Sequence, residues 1–157
     1  MIFVEIIGII IVGIAAFINI IKKAKGKNKI YGIYMCLCVV VATISYFFNM
    51  GWIRMIIAPL PAILLIILYW KINSDSIELI DKTNKLNIFI ILNGITLLLS
   101  NFLLSDYGDT NGYVFFGQVK DRNIISICDL IFPVMLILHI TVLLLQLIYT
   151  KKLKKNA

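Results

Sequence analysis

Residues 124–149 read IISICDLIFPVMLILHITVLLLQLIY, an apolar run long enough to cross the ~30 Å hydrocarbon core of a bilayer, which takes roughly 20 helical residues. Four similar stretches precede it, at 2–21, 30–48, 53–70 and 86–104. Around them the 157-residue chain is 61% hydrophobic and only 15% charged, with mean hydropathy +0.99. A soluble domain is nearer half apolar and about a quarter charged, and a chain of this size could not hide the excess in a core. The expected fold is all-α: one transmembrane domain, 1–157, built as a bundle of five transmembrane helices.

The second and third stretches are nearly continuous, so the reversal between them has to be located. Asn49-Met50-Gly51-Trp52 supplies turn residues and an interfacial Trp. A turn at Ala58-Pro59-Leu60-Pro61 would leave about 10 residues before Lys71 and draw Arg54 toward the hydrocarbon, at about 2.5–3.5 kcal/mol for a central position. The first turn is preferred, with Pro59 and Pro61 kinking the third helix.

Lys and Arg in short loops stay on the cytoplasmic side. Lys22, Lys23, Lys25, Lys27, Lys29, Lys71, Lys82, Lys85, Lys151, Lys152, Lys154 and Lys155 fall on one side of a five-span chain, against Arg54, Lys120 and Arg122 on the other. Twelve against three places the N-terminus outside and the C-terminus in the cytoplasm. Aromatic residues agree: Tyr31, Tyr34, Tyr69, Trp70 and Tyr149 fall at inner ends, and Tyr46, Trp52 and Tyr107 at outer ends. Glu5 stands where a signal peptide would carry a basic region, so the first stretch reads as an uncleaved span. Cys36, Cys38 and Cys128 lie inside apolar segments and suggest no disulfide framework.

Two loops have character. In the inner one, 71–87, Asp75 and Glu78 suit the first turn of a short surface helix with Ile77 and Ile80 on its apolar side. The outer one, 105–123, carries Asp106, Asp109, Asn111, Phe115 and Phe116 and is the main external surface.

Polar residues inside the spans are the candidate sites. Glu5, Gly8, Val12, Ala15 and Asn19 form one stripe of the first helix, Cys38, Ala42, Ser45 and Asn49 one of the second, and Asn93, Thr96 and Ser100 one of the fourth. Small and polar stripes of this kind pack helices and bond across them. His139 is the deepest ionisable group, and Thr96 lies at similar depth as a partner for its imidazole. Cys128, Met135 and His139 share a helix face, but Cys128 and His139 are about 16 Å apart along the axis, too far for one metal ion. Asp129 suits a helix cap at the outer interface.

No H-E-x-x-H, G-x-S-x-G, G-x-G-x-x-G, P-loop or C-x-x-C motif occurs, and one His cannot form a His-based acid/base pair. The expectation is a non-enzymatic protein of a bacterial plasma membrane, without cofactor or metal. Its +7 charge sits in short lysine runs and not along a polar face, which argues against nucleic acid. Its partners would be the lipid bilayer and a membrane protein or toxin. Small Ile/Lys/Asn-rich chains with cytoplasmic lysine clusters are similar in general character to immunity proteins against pore-forming bacteriocins. That resemblance implies binding to, or protection against, another membrane component, and it transfers no residue. The alternative is a small transporter or channel subunit, a homo-oligomer with a polar seam around Asn93, Thr96, Ser100 and His139.

Overall fold

The computed structural model describes residues 14–15, 17–26, 28–48, 51, 53, 59–107, 112–115 and 118–156. The first helix, α1, is seen over 17–23. It is followed by α2 (Asn28–Phe48), α3 (Pro59–Ile77), a 3-10 turn (Ile80–Lys82), α4 (Asn84–Leu103), the two-residue strands β1 (Asp106–Tyr107) and β2 (Gly112–Tyr113), and α5 (Arg122–Lys155). Among the described residues, α2 through α5 are each long and apolar enough to cross a membrane. Most of the first apolar stretch, Glu5 included, lies outside the described residues.

Burial follows the helical period. Met35, Cys38, Ala42 and Ser45 line one side of α2, and Leu86, Ile90, Asn93, Leu97 and Ser100 one side of α4. On α5 the buried side passes through His139, Leu143, Gln146 and Thr150. α4 runs between α2 and α5 and packs on both, while α3 closes against α5. Exposed positions carry large apolar side chains, among them Ile30, Leu60, Ile127, Leu130, Val134, Ile137 and Ile148. The buried set, in contrast, includes Asn73, Ser76, Asn93, Thr96, His139, Gln146 and Thr150. Water would reverse that distribution; a hydrocarbon surround favours it, because polar groups there must find partners inside the protein. The bundle is therefore compatible with a membrane protein.

One close approach sets the α2–α4 distance. Tyr34 of α2 lies over Gly94 and donates its hydroxyl proton to the Ile91 carbonyl at 2.8 Å. A Cβ at Gly94 would stand 2.3 Å from that hydroxyl oxygen and 2.6 Å from the ring carbon bearing it. The glycine is needed for the room it leaves.

Two lysine-rich segments meet an acidic one at one end. Asn28 donates to the Asp81 carboxylate at 3.0 Å, and Lys23 and Lys154 pair with Glu78 and Asp75 at 3.3 and 3.2 Å. These ion pairs are partly exposed and contribute little stability, yet they show that residues 23–28, 75–81 and 150–155 share an end. At the other end Gly51 and Ile53 meet Asp106. α1 approaches α2 through Ile20, fully buried, and Ala24, both against Gly32.

The structure changes several sequence expectations. α3 continues through 71–77, where the sequence suggested a loop and a separate surface helix beginning near Asp75. Asn73 and Ser76, polar residues within that stretch, are buried in the bundle. Because α3 starts at Pro59, Pro59 and Pro61 occupy its first turn, where no backbone N–H is lost, and they do not kink a helix interior. Gly51 is a bend in the segment after α2; Asn49, Trp52 and Arg54 lie outside the described residues. In α1, Ala15 and Asn19 are exposed, so the contact face there is Ile20 and Ala24 and not the small-polar stripe. The cap of α5 is Asp121, whose carboxylate accepts from the N–H groups of Asn123 and Ile124 at 2.8 and 3.2 Å; Asp129 lies two turns further in.

Replacing Gly94 with Ala should lower the unfolding midpoint in detergent, by about 1–3 kcal/mol as for other overpacked sites. Tyr34→Ala should absorb most of that loss in the double variant. Equal melting of Gly94→Ala and the parent would show that the helices do not meet as closely as described.

Candidate functional site

The interior of the basic half of the bundle is a chain of amides and hydroxyls centred on Gln146. Asn73 fixes its order. Its Nδ2 donates to the Tyr69 carbonyl one turn back at 2.8 Å, which leaves Oδ1 to accept from Gln146 Nε2 at 3.0 Å. The same Gln146 nitrogen donates to Ser76 Oγ at 2.8 Å. Gln146 Oε1 therefore faces α4 and accepts from Asn93 Nδ2. Ser76 donates its one proton to the Ile72 carbonyl at 2.7 Å, so Thr150 is the donor across the 2.9 Å contact between their hydroxyls. One glutamine thus joins α3, α4 and α5, with every residue of the chain buried. Such interhelix bonds contribute about 0.6–2 kcal/mol each in a lipid setting.

Two turns from Gln146 along α5, His139 is fully buried. Its Nδ1 lies 2.9 Å from Thr96 Oγ1, and its ring packs on Tyr69 of α3 with centroids 6.2 Å apart. Ser100, next on the α4 stripe, bonds within its own helix to the Leu97 carbonyl at 3.0 Å. The structure accordingly joins Asn93 to Gln146 and Thr96 to His139, and leaves Ser100 outside that chain.

At the opposite end two carboxylates clasp the connecting segments. Asp106 is fully buried and accepts from the backbone N–H of Gly51 at 3.0 Å, of Ile53 at 2.9 Å and of Tyr107 at 2.8 Å. A Cβ at Gly51 would come within 2.6 Å of the Asp106 carboxylate. Asp129 accepts from the Ser105 hydroxyl and, at 2.7 Å, from the Tyr107 hydroxyl. Strands β1 and β2 pair antiparallel, Asp106 with Tyr113. Val114 is buried over Ile125 and Cys128, with Phe115 half-buried beside them. Cys128 belongs to this cluster and His139 to the polar chain, so the soft-ligand face of α5 is split between two ends. Asp106 is thus an internal anchor and not an exposed recognition residue. Asp109, Asn111 and Phe116, with Glu5 and Asn49, lie outside the described residues.

Sequence reasoning missed Tyr69, Asn73, Ser76, Gln146 and Thr150. Gln146 is seven residues beyond His139 and so on the same helix face, a signal that was present but hidden inside an otherwise apolar run. Comparison with family models, with curated proteins and with solved structures gives no match.

Donation to Asp129 holds the Tyr107 proton and pushes its phenol above the ordinary value of 10.0. A phenol raised in the folded state supports the clasp fully below the ordinary tyrosine range and loses that support as pH rises through its own titration. Asp129→Ala should bring the Tyr107 titration down toward the ordinary range, followed by NMR of ring-labelled tyrosine. An unchanged titration would show that the carboxylate does not hold the hydroxyl.

Proposed function

We propose that this chain is a non-enzymatic protein of a bacterial plasma membrane that spans it five times, N-terminus outside, and recognises another membrane component at its outer face, as an immunity-type protein against a membrane-active peptide would. The clasp carries the proposal. Asp106 and Asp129 hold two connecting segments and the hairpin against the helix ends, and a surface ordered in advance binds without a further ordering cost. Tyr107, Gln118 and Lys120 are exposed on or beside it. The lysine clusters gathered at the other end support the orientation by the retention of basic loops on the cytoplasmic side. The apolar outward faces of α2 to α5 suit lipid or the helices of a membrane-inserted partner.

The polar residues of α4 and α5 have a different part. Asn93, Thr96 and His139 are buried and bonded inside the bundle, Asn93 to Gln146 and Thr96 to His139, so a partner docking on the outside of the bundle would not meet them. The same inward placement is what a transporter or channel subunit would use, and that remains the second reading.

Expression in cells sensitive to pore-forming peptides tests the choice. At least one such peptide should lose potency, and Asp106→Ala, at equal membrane level, should abolish the protection. No loss of potency across the panel would overturn the recognition reading, and ion flux through liposomes carrying the purified protein would select the transporter.

A further inference from the structure

Thr96 has one hydroxyl proton and three partners. Its Oγ1 stands 2.8 Å from the Leu92 carbonyl oxygen, 3.2 Å from the Asn93 carbonyl oxygen and 2.9 Å from His139 Nδ1. Two oxygens at 2.8 Å need a proton between them, and the Leu92 carbonyl has none to give, so the threonine donates there. The contact with the ring then needs its proton from the ring. His139 is consequently the Nδ1–H tautomer, and Nε2 is a bare lone pair.

That Nε2 is fully buried and without a hydrogen-bond partner, and among the other buried side-chain atoms in this state are two on residues linked to it, Asn93 Oδ1 and the Tyr69 hydroxyl oxygen. All three side chains are wholly inaccessible to solvent. Asn93 is one turn, about 4.5 Å, from Thr96 along α4, and Thr96 holds the imidazole on which the Tyr69 ring packs. Asn93 cannot turn its amide to relieve the oxygen, because its Nδ2 is committed to Gln146 Oε1, whose direction is set in turn by Asn73 and the Tyr69 carbonyl. Cys38 lies beside the Tyr69 hydroxyl, and a thiol is a weak partner.

The three groups are two acceptors, on α4 and α5, and one hydroxyl donor, on α3. A water molecule has two protons to give and lone pairs to receive, and buried waters typically make about three bonds to otherwise unsatisfied groups. We infer that Tyr69, Asn93 and His139 form an internal water site, in which the water accepts from the Tyr69 hydroxyl and donates to His139 Nε2 and Asn93 Oδ1. The site extends the Gln146 chain to the imidazole and gives Nε2 a hydrogen-bonded route by which a proton could reach it. Nothing in this depends on what the outer face recognises.

His139 is the only histidine, so ¹⁵N-histidine labelling reports on two ring nitrogens and nothing else. In lipid vesicles, solid-state NMR should show a protonated Nδ1, and an unprotonated Nε2 with a cross-peak to a proton at the water frequency. Asn93→Leu and Tyr69→Phe should each weaken the cross-peak and keep the tautomer, whereas Thr96→Val should release it. A protonated Nε2 in the parent protein, or an Nε2 with no water cross-peak, would overturn the site.

Discussion

The Gln146 carboxamide is the point at which three helices become one body. In water, apolar faces would drive helices together; in hydrocarbon they gain nothing by leaving lipid, and association depends on close packing and internal polar bonds. Gln146 supplies the second kind by giving its protons to Asn73 and Ser76 of α3 and taking one from Asn93 of α4. The two partners on α3 are directed by their own helix backbone, through the Tyr69 and Ile72 carbonyls. A small rotation of any of the three helices would therefore break several bonds at once and strand their partners in a buried interior that cannot solvate them.

Close packing is the other requirement, and Gly94 meets it on the opposite side of α4, where Tyr34 of α2 fills the space a methyl group would take. α4 is thus held by contact on one side and by hydrogen bonds on the other. The two bundle ends complete the arrangement. At the basic end Lys23 and Lys154 meet the acids of 75–81 across partly exposed, weak ion pairs, beside the buried Asn28 that donates to Asp81. At the opposite end Asp106 receives three backbone protons in a buried setting, a firmer attachment because removing the carboxylate would leave those donors unmet. The bundle thus has a firm clasp at one end and a looser, highly charged rim at the other.

Much of this architecture can be read from the residues. α2 and α4 lie within two residues of the apolar stretches that announce them, because hydrophobicity over 20 residues is a strong signal in a chain with so few charges. The 3.6-residue stripe through Asn93, Thr96 and Ser100, and the matching depth of Thr96 and His139, are likewise in the sequence. What could not be read is polarity used inward. Asn73 and Ser76 look like loop residues, and only the third dimension shows that they face Gln146. Asp106 and Asp129 look like surface acids for a similar reason: the backbone and hydroxyl donors they satisfy come from segments far away in sequence. The N-cap of α5 is Asp121 and not Asp129 because the helix already includes the polar Arg122 and Asn123, which the apolar pattern of the sequence leaves in the loop.

A double-mutant cycle between Gln146 and Asn73, each replaced by Leu alone and together, measures the interhelix lock directly, by reversible unfolding in mixed detergent and lipid. If the two amides hold α3 to α5, the double variant will be more stable than the sum of the single losses implies, with a coupling of about 0.6–2 kcal/mol. Additive losses, within about 0.5 kcal/mol, would mean that the two side chains do not act together and that packing alone holds these helices.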